Sequence, residues 1–437
     1  MRASEDDLEP RDLIHRCNLV LKAGILMLGA GTSSLRVRDL MRAVARDQGM
    51  DELRAQITYT GIVLTVTRRG IFRTQTSEVR GSGVNAHRIE MLHDLTKRLR
   101  AGEEVDVERR LRVIEHTRPL HRARWLAALV ALACASITVL SHGGWREVLA
   151  VLPASMIAYG LHRTLIAARL NVIAVMLTST VVASAGYVGF AALLAAVTGS
   201  PSSAYGVGLV SASIFLIPGF PLVTAGLDIT RLDMSAGIPR LGYAAVVLLA
   251  MGIGVWVVAT LAGVSPQEVP VQPWHPLLLW SVRLLASFTA VFGWAMMFNS
   301  PTSAAVASGT IAVIGNALRL TLLDHQVSNH VATFVGCVLI GLLCAVAGAV
   351  FDLEKIIMTV PTLLISIPGG AALRTLLYFD TADTLRALQN AVAVVLAVIA
   401  MVGGLSVARM VTDPEWAFTR PDPPQLRLGL PGLRRRR

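Results

Sequence analysis

Charge is what this chain has least of. Asp, Glu, Lys and Arg make up 16% of its 437 residues against 54% apolar, and aromatic residues contribute only 5%. The charges that exist crowd into the first 124 residues and the last 28, a distribution that excludes a single water-soluble globule. The formal net charge of +11 would suit nucleic acid, but no basic stretch is interleaved with stacking aromatics, so nucleic acid is not an expected partner. Cysteine is also sparse. Cys17, Cys134, Cys337 and Cys344 have no metal-type spacing, and three of them sit inside apolar segments, so they read as small buried hydrophobes. Neither a metal nor any other cofactor is expected. The chain lacks an ATP-binding P-loop and a G-x-S-x-G nucleophile elbow. Its first residues, Met-Arg-Ala-Ser-Glu-Asp-Asp-Leu-Glu, are too acidic for a secretory n-region, which keeps the N-terminal part in the cytoplasm.

What is abundant is long apolar sequence. Ten such segments run from Trp125 to Met410, at about 125–141, 147–162, 171–197, 205–228, 240–262, 276–298, 302–322, 329–350, 356–378 and 388–410. A bilayer offers no water to an open backbone, so this many spanning-length segments predict a polytopic α-helical membrane protein. The segments divide into two runs of five around a polar, proline-rich break, Gly263 to His275. An odd number per half starts the second half on the opposite side of the membrane. That predicts a 5+5 inverted repeat, the common architecture of secondary transporters. The expected organisation is a soluble head over 1–124, five-helix modules over 125–263 and 275–410, a linker over 264–274 and a basic tail over 411–437. Arg109 to Arg112, Arg118 to Arg124, His162 to Arg169 and Arg434 to Arg437 gather basic charge on one side, while the loops Ser141 to Glu147 and Thr198 to Ala204 have little. By the positive-inside rule both termini face the cytoplasm, in an inner or plasma membrane.

The head reads as a small α/β domain. Helical spacing of apolar residues covers about Leu13 to Leu28 and Arg36 to Gln48, and Gly49 stops the second helix. The period then changes to two over Gln56 to Thr60, Ile62 to Thr67 and Ile71 to Val79, which predicts consecutive antiparallel strands. Asn85 caps a helix to about Leu99, and a charged helix near Val105 to His116 leads to the membrane. Gly29-Ala-Gly-Thr-Ser-Ser34 has an anion-cradling look without the full phosphate-loop pattern, and Ser33 with His87 or His93 and Asp39 is a conceivable hydrolytic set.

Functional candidates come from the membrane part. Leu216-Ile-Pro-Gly-Phe-Pro-Leu222 in the fourth span and Ile367-Pro-Gly-Gly-Ala-Ala-Leu373 in the ninth both place Pro-Gly in mid-membrane. Proline removes a backbone donor and glycine admits unusual dihedrals, so both spans are expected to kink or break there. Paired interruptions at corresponding places of two halves point to a transporter binding site, which nominates Pro218, Gly219, Pro221, Pro368 and Gly369. An ionisable group at a helix centre in the membrane costs about 2.5 kcal/mol or more and usually faces a partner, a cavity or an ion path. Asp228 is the leading candidate, as a proton- or substrate-handling carboxylate, or else as an interfacial Asp paired with Arg231 or Arg240. Arg163 and Arg319 end the second and seventh spans at similar places, where each either meets a substrate carboxylate or snorkels to the interface. Asn299, in Asn299-Ser-Pro-Thr-Ser303, offers hydrogen bonds to a substrate or a plain helix cap. The acidic residues Asp324, Asp352, Glu354, Asp380 and Asp383 lie in short loops and read as solvated.

Gly29-Ala-Gly-Thr-Ser-Ser-Leu-Arg-Val-Arg-Asp39, Gly49-Met-Asp51, Thr58-Tyr-Thr-Gly-Ile-Val63 and Gly83-Val-Asn85 resemble the bacterial threonine/serine exporter family. The similarity continues through Ile217-Pro-Gly-Phe-Pro-Leu-Val-Thr-Ala-Gly-Leu-Asp228 to Gly237-Ile-Pro-Arg240, and through Phe298-Asn-Ser-Pro301, Ala332-Thr-Phe334 and Ile367-Pro-Gly-Gly370. The ninth span departs from the fuller P-L-x-P-G form, with Ile365-Ser-Ile-Pro-Gly369. In some members the two modules are separate chains, and this chain looks like the fused form. The resemblance implies ten spans, a cytoplasmic head and export of threonine and serine driven by protons; split members are associated with dicarboxylate export. Three readings are therefore carried forward: a proton-coupled threonine/serine exporter, a succinate-like dicarboxylate exporter, and a membrane scaffold whose head binds or hydrolyses a ligand. Partners are a small-molecule substrate, protons and the lipid bilayer. A homo-oligomer contact is conceivable through the head or a Gly/Ala-rich face such as Gly336 to Gly348.

Overall fold

The computed structural model describes residues 5–79, 83–199, 205–264 and 275–417. Residues 265–274 of the expected linker and 418–437 of the expected tail, with Arg434 to Arg437, lie outside the described residues. The head begins with α1 (Glu5–Gly29) and α2 (Ser34–Asp47). A sheet follows, of β1 (Glu52–Ile57), β2 (Gly61–Arg68) and β3 (Ile71–Glu78), antiparallel in the order β1-β2-β3. The first strand lies earlier than the Gln56 to Thr60 expectation. The Thr58 hydroxyl lies 3.1 Å from both the carbonyl and the N–H of Gly61, which turns residues 58–60 into the hairpin loop. Alternate residues Ile62, Leu64 and Val66 of β2 are buried against the apolar stripe of α1 and α2, including Val20, Met27, Leu40 and Met41. Helices α3 (Ala86–Arg100) and α4 (Val107–Glu115) close this core, capped as polar residues cap orphan N–H groups: Asn85 accepts from Arg88, and Asp106 from Arg109.

The remainder is helical. Among the described residues, eight helices are long and apolar enough to cross a bilayer: α5 (Ala123–Leu140), α6 (Trp145–Ala167), α7 (Val172–Thr198), α10 (Met234–Leu261), α11 (Pro276–Met297), α12 (Thr302–Asp324), α13 (Asn329–Val350) and α16 (Thr384–Thr412). Two more stretches are broken. Helix α8 (Tyr205–Ser213) meets α9 (Gly219–Thr230) at a bend of 72°, and α14 (Lys355–Leu363) meets α15 (Gly369–Asp380) at 44°. Counting each bent pair once gives ten spans; a four-residue helix α17 (Pro414–Ala417) follows. Both bends fall at the Ile-Pro-Gly sequences. Each is preceded by a three-residue 3-10 turn, Ile214–Leu216 or Leu364–Ser366, and each proline adopts nearly the same backbone, φ −76° and ψ 62° at Pro218 and φ −82° and ψ 63° at Pro368.

Helices α5 and α11 pack together, and the broken segments cross between the halves. Helix α15 lies against α8 and α10, while α9 lies against α14 and α16. The crossing is close, since a Cβ on Gly219 would overlap a Leu364 methyl and push it aside. The Gly336 to Gly348 face, considered above for a dimer, is used within the chain: Gly341 lies against Ala408 of α16, where a Cβ would come within 2.5 Å.

The head seats on one end of the bundle. Backbone N–H groups of Ala86 and His87 donate to the carbonyls of Phe298 and Asn299, and Leu120 N–H donates to the Asn299 side chain. Ser235 donates to Ile57 of β1, and Lys97 pairs with Asp352. Deeper in this seam, Asp228 Oδ2 accepts from Arg240 at 2.8 Å while Oδ1 accepts the Ser34 backbone N–H at 3.2 Å, all three residues being buried. A buried charge left without its partner typically costs about 3–5 kcal/mol, whereas replacing both partners by apolar groups is often neutral. Asp228→Ala should therefore lower the melting temperature of the purified protein markedly, and Asp228→Leu with Arg240→Met should recover most of it. Equal melting of the single variant and the parent would show that the pair contributes nothing.

Candidate functional site

A cavity of about 470 Å³ opens at the end of the bundle away from the head. Its position follows from which helix ends supply it. Ile137 to His142 come from the finish of α5, Asn316 to Leu320 from the finish of α12 and Asn329 from the start of α13, while the head touches the opposite ends of these helices. The volume suits a small molecule. The floor is the break in the ninth span, with Leu364, Ile365, Ile367, Pro368, Gly369 and Gly370, joined by Val210 and Ile214 from the other broken segment. A break exposes backbone polar groups, which in a membrane are tolerated where they line a cavity or are buried in protein. This one does the former.

Two guanidinium groups reach the wall, Arg319 of α12 and Arg374 of α15. Arg319 is fixed by neutral partners alone: Nε donates to the Thr333 hydroxyl at 3.2 Å, Nη1 to Asn316 at 3.3 Å and Nη2 to Asn329 at 3.0 Å. Asn316 is itself held by donating to Ser287 at 2.9 Å. Arg374 Nε donates to Asn390 at 3.1 Å. Neither arginine has an acidic partner among the described residues, and no Asp or Glu lines the cavity. Asp324, which ends α12, is occupied by Arg283 at 2.6 and 3.2 Å. The first turn of α15, starting at Gly369, adds backbone N–H groups and the positive end of a helix dipole to the same wall. The electrostatics of the cavity therefore favour an anion.

Of the residues nominated from sequence, the cavity gathers Arg319, Pro368 and Gly369. Pro218, Gly219 and Pro221 lie at the other break, on the crossing with α14. Asn299 belongs to the head seam, where its amide donates to Asn85, and Asp228 with Arg240 lies in that seam as well, so none of the three lines the cavity. Arg163 is exposed, with its guanidinium over the Tyr159 ring at 6.0 Å. Sequence reasoning missed Arg374, Asn316 and Asn329. Arg374 was discoverable, as a cation six residues after Pro368 on a helix that starts at the break. The asparagines carried no signal, because neutral polar residues on apolar helices are common.

The opposite end is closed by charge. Glu354, read above as a loop residue open to solvent, is 2% exposed. It meets Arg36 of α2 at 3.1 Å and His93 of α3 at 3.1 Å, while Arg36 also approaches Asp413. Burial alone would raise the Glu354 carboxyl, but Arg36, His93, Arg409 and Lys355 outweigh it and hold it at about 2. Burial pushes His93 down despite the pull of Glu354, so at neutral pH its ring serves as an N–H donor more than as a cation. The Ser34 hydroxyl, 3.0 Å from Asp228 and 2.8 Å from Asp233, adds a further tie between α2 and the membrane helices. His93 pairs with Glu354, and among the described residues no hydrogen bond joins Ser33 to His87 or His93. No cluster of metal-type ligands occurs among the described residues either.

Comparison with known proteins agrees with this picture of a membrane carrier. The E. coli K12 protein named probable succinate transporter subunit YjjP is 29% identical over 249 residues, 56% of this chain and 94% of that protein. Its Klebsiella aerogenes counterpart of the same name is 28% identical over 267 residues, 59% of this chain and 97% of the relative. No solved structure matches the chain. A threonine/serine exporter family model matches residues 18–262, and a second threonine/serine exporter model matches residues 283–411. Together they span the head and both helical halves, and the chain belongs to the threonine/serine exporter family.

Proposed function

We propose that the chain is a secondary exporter of a small dicarboxylate, which binds in the far-side cavity between Arg319 and Arg374. The observation that carries this reading is a cavity wall with two arginines and, among the described residues, no carboxylate. A zwitterionic amino acid would need an acceptor for its ammonium group, whereas a four-carbon diacid needs a cation at each end. The relatives named as succinate transporter subunits support the same choice. Threonine or serine is the second reading, favoured by the family description and by Ser141 and Ser211 on the wall.

Transport proceeds by alternating access between two five-span halves of opposite orientation, with the head in the cytoplasm. Recurring geometry supports the repeat. Left-handed loop residues His142 and Asn299 lie 157 positions apart, as do Arg169 and Gln326, while Leu232 and Ala382 lie 150 apart, as do Pro218 and Pro368. The described cavity then belongs to the state open away from the cytoplasm. Energy comes from the proton gradient, since the sequence holds no ATP-binding loop. A proton on Asp228 would cancel its attraction for Arg240 and weaken its hold on Ser34, which ties proton binding to the seating of the head.

Three outcomes are expected in proteoliposomes. Counterflow should accumulate labelled succinate and not labelled threonine; the reverse result assigns the cavity to amino acids. Arg319→Lys and Arg374→Lys should each raise the succinate KM by on the order of tenfold or more, because a truncated or re-angled charge contact typically loses 2 kcal/mol or more. Unchanged KM in both variants removes the cavity from the substrate path. Asp228→Asn should retain succinate exchange yet lose its response to an imposed pH gradient, and a retained response would take the proton step elsewhere.

A further inference from the structure

We infer that His162 of α6 is the substrate contact of the state open toward the head, the counterpart of Arg319 in the state described, and that Phe215 and Tyr159 now fill its site. This inference rests on the reading of the far-side cavity as the substrate site. Two oppositely oriented halves exchange their conformations when access alternates, so the residues that line one cavity have equivalents that line the other. The spacing of 157 between corresponding loop residues carries Asn316 and Arg319 of α12 back to Tyr159 and His162 of α6. The spacing of 150 between the two breaks carries Ile365, on the cavity floor, back to Phe215. Phe215 touches both of the other equivalents. The Phe215 ring meets Tyr159 edge-on at 5.7 Å and His162 edge-on at 6.0 Å between centroids. One half therefore holds an open, cationic cavity, and the matching place in the other half is packed with rings.

His162 also repeats the way Arg319 is held. Arg319 reaches across to a hydroxyl on α13, Thr333, and His162 Nδ1 lies 3.4 Å from a hydroxyl on α7, Ser179. Helix α7 stands to α6 as α13 stands to α12. No carboxylate pairs with His162 among the described residues, so an imidazole N–H is left to meet an anion once Phe215 moves aside. Arg163, the neighbour nominated from sequence, is exposed, with its guanidinium over the Tyr159 ring.

The test uses the full chain in liposomes of uniform orientation, with succinate varied on one side while the other is saturated. His162→Phe keeps the ring packing and removes the N–H, and it should raise the head-side KM tenfold or more while the far-side KM stays within twofold. His162→Gln restores a donor and should recover part of the loss. Phe215→Ala should raise the reactivity of a cysteine placed at Tyr159 toward a head-side thiol reagent. Unchanged head-side KM in His162→Phe overturns the assignment, and so does an equal rise on both sides, which marks a structural role. Failure of the cavity reading is distinguishable, because it would appear as an unaltered far-side KM in Arg319→Lys.

Discussion

Two candidate spans of this protein break at a proline-glycine pair, and the rest of the architecture serves to make that tolerable. A backbone interrupted by proline loses a hydrogen bond in a medium that supplies none, so the freed groups must be covered by protein or face a cavity. Both solutions occur. The break at Pro218 is covered by the crossing of Gly219 on Leu364, and the break at Pro368 floors the cavity with Arg319 on its wall. The swapped contacts of α9 with α16 and of α15 with α10 hold the two broken segments across one another. Movement of one break therefore bears on the packing of the other.

The two ends of the bundle solve opposite electrostatic problems. Toward the head, Asp228 pairs with Arg240 beside the seam and Glu354 pairs with Arg36 across it, so the buried charges cancel. At the far end Arg319 and Arg374 are hydrogen-bonded to asparagine and threonine, which orient a guanidinium without neutralising it. Positive charge is retained there, and the first turn of α15 adds to it.

The head is more than an appendage in this arrangement. Its helix α2 places Ser34, Arg36 and Arg38 on three membrane-side carboxylates, Asp228, Glu354 and Asp233. The sequence Gly29 to Ser34, which looks like an anion-cradling loop, does receive an anion at its helix start. That anion is a carboxylate of the chain itself.

Sequence alone determined the membrane class, the number of apolar segments, the place of both breaks and the α/β character of the head. Each of these depends on local composition or on the hydrogen-bonding limits of proline and glycine, which act within a few residues. Pro218 and Pro368 broke their spans as their chemistry requires. Only the tertiary structure decided that Arg319 and Arg374 share a wall and that Asp228 belongs to the head seam. Those outcomes depend on helix rotation and on which helix ends meet. Rotation by one residue turns a side chain about 100°, and nothing in the local pattern of an apolar helix specifies which face its neighbours will choose.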